Sequence, residues 1–351
     1  MDKRVSRLLH LEQHKQLTPS WFEARKTCIT ASSASSLLIR DQKTCESYVK
    51  SFGLEDSFEY DGKCCNPYST KKQYFLDKCR GSTFKGNVAT YHCQKYESVV
   101  TDLYKNENNT KVLEFGLIKH PEISWLAASP DGITPEGIML EIKCPYRRKI
   151  TGITPLYYYI QVQLQLESCD LEFCDFLEYE FVEFGTEEEW LDDTTMDTQY
   201  KHHGLMIQLE KKSNDANMIA NPAETQYIYP PHDMLDKKEE LLQWGKFYIE
   251  EFPRINSPEA LENLNIKICY WKVNNSCTTR IERNKEWFAN VKPVFEKEWK
   301  LITYYKKADN YKHLIKDIEY EGKTVCLELE DAELCMLSDD SSTHEEDDEI
   351  E

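Results

Sequence analysis

Ser129-Pro130-Asp131-Gly132, followed by Leu140-Glu141-Ile142-Lys143-Cys144-Pro145, sets two carboxylates and a lysine on either side of a turn. Trp125-Leu126-Ala127-Ala128 predicts a short buried strand running into Pro130-Asp131. Thr134-Pro135-Glu136-Gly137 has turn chemistry, Pro pre-setting the bend and Gly closing it. A second strand is expected from Ile138 to Cys144, so the stretch predicts a tight β-hairpin. Because strand side chains alternate, Glu141 and Lys143 share one face while Leu140 and Ile142 point to the other, into the core. Asp131, closing the first strand, can then face both polar groups.

Two acids on neighbouring strands with an ammonium beside them suit a hard divalent cation, which takes carboxylate and carbonyl oxygens and keeps several waters. The lysine is suited to orient or deprotonate such a water, or to stabilise charge on an attacked phosphate. The same residues also suit a surface hairpin with a weak cross-strand Glu-Lys pair. Asp-Gly and Glu-x-Lys together, each led into by an apolar strand, favour the metal site.

At these residues the sequence resembles the PD-(D/E)xK nucleases, and within them the λ-exonuclease type, or YqaJ-like viral recombinase nucleases, of phages and large DNA viruses. Pro130-Asp131, Glu141-Ile142-Lys143 and the following Cys144-Pro145 carry the resemblance, which spans about Trp21 to Gln163. It implies an α/β (α+β), restriction-endonuclease-like core: a central mixed β-sheet flanked by helices. It also implies a Mg²⁺-dependent 5′-3′ exonuclease on double-stranded DNA ends, with Mn²⁺ able to substitute, serving viral recombination. Asp131, Glu141 and the Ile142 carbonyl are then the metal-holding groups, and Lys143 positions the nucleophile. A strand-annealing protein is the implied partner, and some relatives form homo-oligomeric rings. An endonuclease or RNase on the same core, or a non-catalytic interaction protein, are the alternatives.

Upstream, Trp21-Phe22-Glu23-Ala24-Arg25 leads to Ile29-Thr30-Ala31-Ser32. Thr30 or Ser32 can cap a helix running through Leu37 and Leu38, whose N-terminal amides would suit an anion, with Arg25 as a bidentate fork. An ordinary capped helix with a surface arginine fits equally. The resemblance assigns Arg25 and Ser32 to the DNA 5′ phosphate and places Ser129 near the DNA backbone. A helical pattern from Asn87 to Tyr104 carries Glu97, which the resemblance makes an active-site acid assisting the metal. The family's glycine four residues earlier is Cys93 here.

Strands at 112–118, 124–131 and 138–144 behind that helix give an α-β-β-β order. Pro155 starts a helix through Ser168, on which Gln161 and Gln163, two apart, cannot point the same way. The resemblance selects Gln163 for the metal-water centre. Phe173 to Phe184 predicts a half-exposed strand, Glu187 to Asp197 an acidic loop, Leu205 to Leu209 a strand and Met234 to Phe252 a helix. The aromatic residues of 265–318 stand at helical spacing and predict core contacts.

The chain of 351 residues is long enough for a sizeable core. One nuclease domain is expected over 1–337. Its core lies at about 87–210, between an N-terminal helical, phosphate-binding part (1–86) and a helical C-terminal part (230–320). The net charge of −19 opposes a polyanion, but Asp339 to Glu351 hold eight acids and no Lys or Arg, and without them the charge is −11. A disordered acidic tail is expected over 338–351. Lys3, Arg4 and Arg7, Arg25-Lys26, and Lys143 with Arg147, Arg148 and Lys149 supply local positive charge, all that a DNA channel needs. Thirteen cysteines, an odd count without C-x-x-C, predict reduced thiols in an intracellular compartment, cytoplasm or viral replication site. A zinc set forced from Cys64-Cys65, Cys79 and His92-Cys93 matches no standard spacing.

Overall fold

The computed structural model describes residues 1–38, 70–82, 86–193, 202–212, 224–255, 264–307, 310–312 and 314. The polar stretch 39–69 and the acidic tail lie outside the described residues. Helices Lys3–Leu9 (α1) and Pro19–Lys26 (α2) open the chain. The second is started by the Thr18 side chain, which accepts from the Trp21 amide, and by Pro19 in the first turn. Strand Ile29–Thr30 (β1), a 3-10 turn Ala31–Ser33 and helix Ser35–Leu38 (α3) follow. Helix Lys71–Arg80 (α4) precedes the long helix Val88–Asn108 (α5), which is capped by Asn87 and ended by Asn109 in the left-handed conformation.

The strands then arrive as Ile118–Lys119 (β2), Leu126–Ala128 (β3), Gly132–Ile133 (β4) and Ile138–Lys143 (β5). They do not form one sheet. β3 lies between β1, parallel to it, and β2, antiparallel, in a small three-stranded sheet. β4 and β5 belong to a second, six-stranded sheet. The expected strand over 112–118 is thus reduced to the start of β2 and two isolated bridges, Leu113 to Ile133 and Leu117 to His14. The chain changes sheets at Ser129-Pro130-Asp131, where proline interrupts a ladder.

Helix Leu156–Cys169 (α6) crosses to strand Phe173–Phe184 (β6), parallel to β5. Helix Glu187–Asp192 (α7) stands where an acidic loop was expected: the Thr186 side chain caps it, and three glutamates in its first turn suit the helix dipole. Strands His203–Lys211 (β7) and Gln226–Ile228 (β8), helix Lys238–Ile255 (α8), strand Leu264–Glu282 (β9) and helix Lys285–Lys306 (α9) complete the order.

β9 corrects the expectation of a helical C-terminal part. It runs antiparallel between β6 and β7, near the middle of the order β4-β5-β6-β9-β7-β8. Its aromatic residues mimic helical spacing, but Ile266, Ile268, Val273, Thr278, Thr279 and Ile281 are β-branched and favour the pleated surface. β6 is correspondingly more buried than a half-exposed strand, because β5 and β9 flank it and helices cover both faces. Leu140, Ile142 and Leu177 meet Tyr96, Val99 and Val100 of α5 on one face. Met139, Cys174 and Phe176 meet Val162 and Leu166 of α6 on the other. α6 also packs on the small sheet's Leu126 and Ala128 and on Trp287 and Val291 of α9, so it is buried on every side.

The far end of α5 is tied to β7 through His202, whose Nδ1 meets Asp236 Oδ2 at 2.8 Å and whose Nε2 meets Glu107 Oε1 at 2.9 Å. These two carboxylates outweigh burial and raise the imidazole from 6.5 to about 9. Stability from this charged histidine is fully present below the unfolded value near 6.5 and is lost as pH rises through about 9. Both acids are about 40% exposed, so solvent screening leaves the clamp worth about 1–2 kcal/mol. Urea unfolding from pH 6 to pH 10 should show that loss in the natural protein and not in His202→Gln; parallel curves would remove the clamp.

Candidate active site

The hairpin of the larger sheet is made by β4 and β5, with Gly132 opposite Leu140 and Ile133 opposite Met139. Its turn closes through the Gly137 amide, which donates to the Thr134 carbonyl at 3.0 Å, with Gly137 at φ +90°, where glycine is favoured. Trp125–Ala128, expected to form the first arm, lies instead in the neighbouring sheet. Asp131 stands between the two sheets, and its Oδ2 accepts from the Ile142 amide at 2.7 Å. That bond fixes the aspartate against the strand carrying Glu141 and Lys143, so the three predicted residues do converge. Ile142 meets Asp131 through its amide, while its side chain packs in the core.

Glu141 is 1% exposed, and a buried carboxylate needs donors. The Lys143 ammonium and Gln161 Nε2 (2.7 Å) reach its Oε1, and Gln165 Nε2 (2.6 Å) reaches its Oε2. Gln161 and Gln165 are four apart and therefore share a helix face. Gln163 faces away: it donates to the Glu282 carbonyl at 2.7 Å and accepts from the Asn284 amide at 2.7 Å, holding the corner between β9 and α9. The choice of Gln163 for the metal-water centre is thus corrected. The i, i+4 repeat of Gln161 and Gln165 was the signal that pointed to the right pair.

Electrostatically, the acids work against one another. Burial, reinforced by the charges of Glu141 and Glu97, pushes the Asp131 carboxyl well above the ordinary carboxylate range; Lys143 and the Ile142 amide oppose this. Burial, then Cys93 and Glu141, raise Glu97 to about 7. Glu97 thus joins the cluster from α5, on the edge of a cleft of about 320 Å³ lined also by Leu17, Tyr91, Gln94, Ser98 and Tyr227. Burial disfavours the Lys143 ammonium, yet Glu141, Tyr158 and Asp131 outweigh it and hold its pKa well above the ordinary lysine value. Arg148 sits alongside, bonded to buried Glu178 and over the same Tyr158 ring that faces Lys143.

Acids whose charges raise one another's proton affinity form the donor chemistry that a hard cation relieves. Both Glu141 oxygens are engaged by Lys143 and the two amides. Among the described residues, no three His, Cys, Asp or Glu side chains stand at metal-holding spacing. The donor types suit a hard divalent cation, but in this arrangement Glu141 is held by Lys143 and its helix partners instead of facing the other acids at metal-holding spacing.

The three predicted DNA-contacting residues converge on Trp21. The Arg25 guanidinium lies 4.2 Å above its ring, and its indole N–H donates to Ser129 Oγ at 3.0 Å. Arg25 donates to Ser32 Oγ at 3.1 Å. The expected side-chain cap is absent: Thr30, before the 3-10 turn, makes no cap bond and contacts Ser33 Oγ at 3.2 Å. Lys78, which no sequence pattern flags, is buried here, donating to the Arg25 carbonyl at 2.7 Å and facing Thr30 Oγ1 at 3.4 Å. Burial lowers it to about 7, with Arg25 and Lys306 adding to the effect and Cys28 opposing it. Gln165 also reaches toward the Ser129 carbonyl at 3.5 Å, linking this corner to Glu141.

Gln163→Ala should leave the Glu282 carbonyl and Asn284 amide short of partners and cost about 1–3 kcal/mol. Denaturant unfolding measures this, and an unchanged midpoint would contradict the structural role given to Gln163.

Residues 61–172 match the model of the YqaJ-like viral recombinase domain. An uncharacterized protein of Acanthamoeba polyphaga mimivirus is 28% identical over 349 residues, covering 90% of this chain. The chain spans 58% of that relative's length. Among solved structures, the alkaline exonuclease LHK-Exo from Laribacter hongkongensis is similar over 86% of this chain and 98% of its own, with 17% identity and a TM-score of 0.42. The LHK-Exo complex with dAMP is similar over the same shares, at 18% and 0.44. A phage-related exonuclease from Haemophilus somnus 129PT is similar over 83% of this chain and 96% of its own, at 13% and 0.35.

Proposed function

We propose that this chain is a nuclease that uses a divalent cation to hydrolyse DNA phosphodiesters, working 5′ to 3′ from 5′-phosphorylated duplex ends. The observation that carries the proposal is the crowding of Asp131, Glu141 and Glu97 with Lys143 where β4, β5 and α5 meet. Asp131, Glu141, Glu97 and the Ile142 carbonyl are the groups that would hold Mg²⁺ or Mn²⁺. A bound ion of this kind supplies Lewis-acid polarisation of the phosphate and an acidified water.

The remaining work falls to the chain's own residues. Lys143, kept charged by its anionic neighbours, orients the attacking water and stabilises charge on the phosphate instead of taking a proton. Gln161 and Gln165 hold Glu141 in place. Arg25, stacked on Trp21 and beside Ser32 and Ser129, receives the terminal phosphate, and buried Lys78 braces its backbone by donating to the Arg25 carbonyl. The match of residues 61–172 to the viral recombinase domain supports a role in viral recombination.

The test compares a linear duplex with 5′ phosphate, the same duplex with 5′ hydroxyl, closed circular DNA and RNA, each with Mg²⁺, Mn²⁺ or chelator. Only the phosphorylated linear duplex with metal should be degraded rapidly. Asp131→Asn or Lys143→Ala should lower that rate by about 10²–10⁴-fold; full activity in either refutes the assignment. Arg25→Ala should equalise the two duplex ends. No metal-dependent cleavage at neutral or alkaline pH would favour a non-catalytic interaction protein.

A further inference from the structure

Cys93 lies one turn before Glu97 on α5, and Cys144 directly follows Lys143 at the end of β5. Their side chains are hydrogen-bonded to each other across the junction of helix and strand. Both thiols are free; Cys144 is 3% exposed and Cys93 is partly open to solvent. The hydrogen bond with Cys144, helped by the Lys143 charge, outweighs burial and favours the Cys93 thiolate. Cys28, Cys169 and Cys174, by contrast, are fully buried in surroundings that disfavour ionisation.

We propose that Cys93 and Cys144 are an oxidative modification site, closing into a reversible disulfide beside Glu97 and Lys143. The oxidant is a hydroperoxide. The Cys93 thiolate attacks one peroxide oxygen, the O–O bond breaks, and the departing hydroxide takes up a proton to become water. The Cys144 sulfur then attacks the resulting sulfenic acid, loses its proton, and expels the hydroxyl as a second water. Two thiols are oxidised and one hydrogen peroxide is reduced to two waters.

Closing the bond brings the sulfurs from hydrogen-bonding contact to about 2.05 Å. The turn of α5 bearing Glu97 is drawn onto the strand bearing Glu141 and Lys143. A misplacement of about 1 Å in such a constellation costs about a hundredfold in rate. The predicted loss of cleavage rests on the nuclease function proposed above, whereas the cross-link does not.

The full chain, reduced and then treated with hydrogen peroxide, is alkylated, digested without reductant and analysed by mass spectrometry. The Cys93 and Cys144 peptides should appear joined, two hydrogens lighter than their sum, and separate after dithiothreitol. DNA cleavage should fall about a hundredfold and recover with the reductant, and Cys93→Ser should abolish this sensitivity to peroxide. Cys144→Ser should leave a Cys93 sulfenic acid that dimedone traps. Recovery of both cysteines singly alkylated after peroxide, or paired with other cysteines, would overturn the inference; a cross-link with unchanged cleavage would overturn the switch. A cross-linked protein that cleaves no DNA in either state would support the modification site and sink the nuclease proposal instead.

Discussion

A helix buried on every side can carry polar groups only if each finds a partner, and α6 carries three glutamines. Gln161 and Gln165 donate their amide N–H groups to Glu141 and Gln163 is satisfied by the corner between β9 and α9, which leaves Gln165 Oε1 as the one buried glutamine side-chain atom of the helix without a protein partner. These bonds set how the helix sits between the two sheets. They also explain how a carboxylate inside the protein is kept where Lys143 and Asp131 can meet it. Apolar residues at the same positions would leave Glu141 with the lysine alone and the strand–helix corner unsatisfied.

Asp131 supplies the complementary constraint. It lies where the chain leaves the small sheet and enters the large one, and its bond to the Ile142 amide ties that crossing to the lysine-bearing strand. Tryptophan does similar work on the other side: Trp21 lies under Arg25 and donates to Ser129, so the cationic corner and the strand end before Asp131 share one aromatic support. A short apolar strand with a polar end thus joins two chemically different clusters.

Much of this was legible in the residues themselves. Turn chemistry at Thr134–Gly137, alternation through Ile138–Lys143 and the pairing of Asp131 with Glu141-Ile142-Lys143 located the hairpin and its acids. The existence of α5, α6 and β7 followed from periodicity, although α5 runs on past the expected Tyr104 to Asn108 and β7 extends beyond Leu205–Leu209 to His203–Lys211. The partner of β5 was not legible, because Gly132-Ile133 is too short to show a pattern and Trp125–Ala128 looks equally like a hairpin arm. Nor was β9: its polar and aromatic residues alternate only loosely, and its place depends on pairing with β6 and β7, both far upstream in the chain. Gln163 was preferred over Gln161 on the resemblance, because spacing alone separates helix faces without saying which one meets the acid. Lys78 became meaningful only once folding placed it behind Arg25.

The position of β9 has a consequence for synthesis on the ribosome. β6 pairs with β5 as soon as both have emerged, but its other edge has no partner until residues 264–282 follow. A nascent chain therefore carries a complete set of acids on an unfinished sheet, with an open strand edge prone to pairing with other chains. A complete sheet and protection from aggregation arrive together, and late, when the last strand slides between two that were made before it.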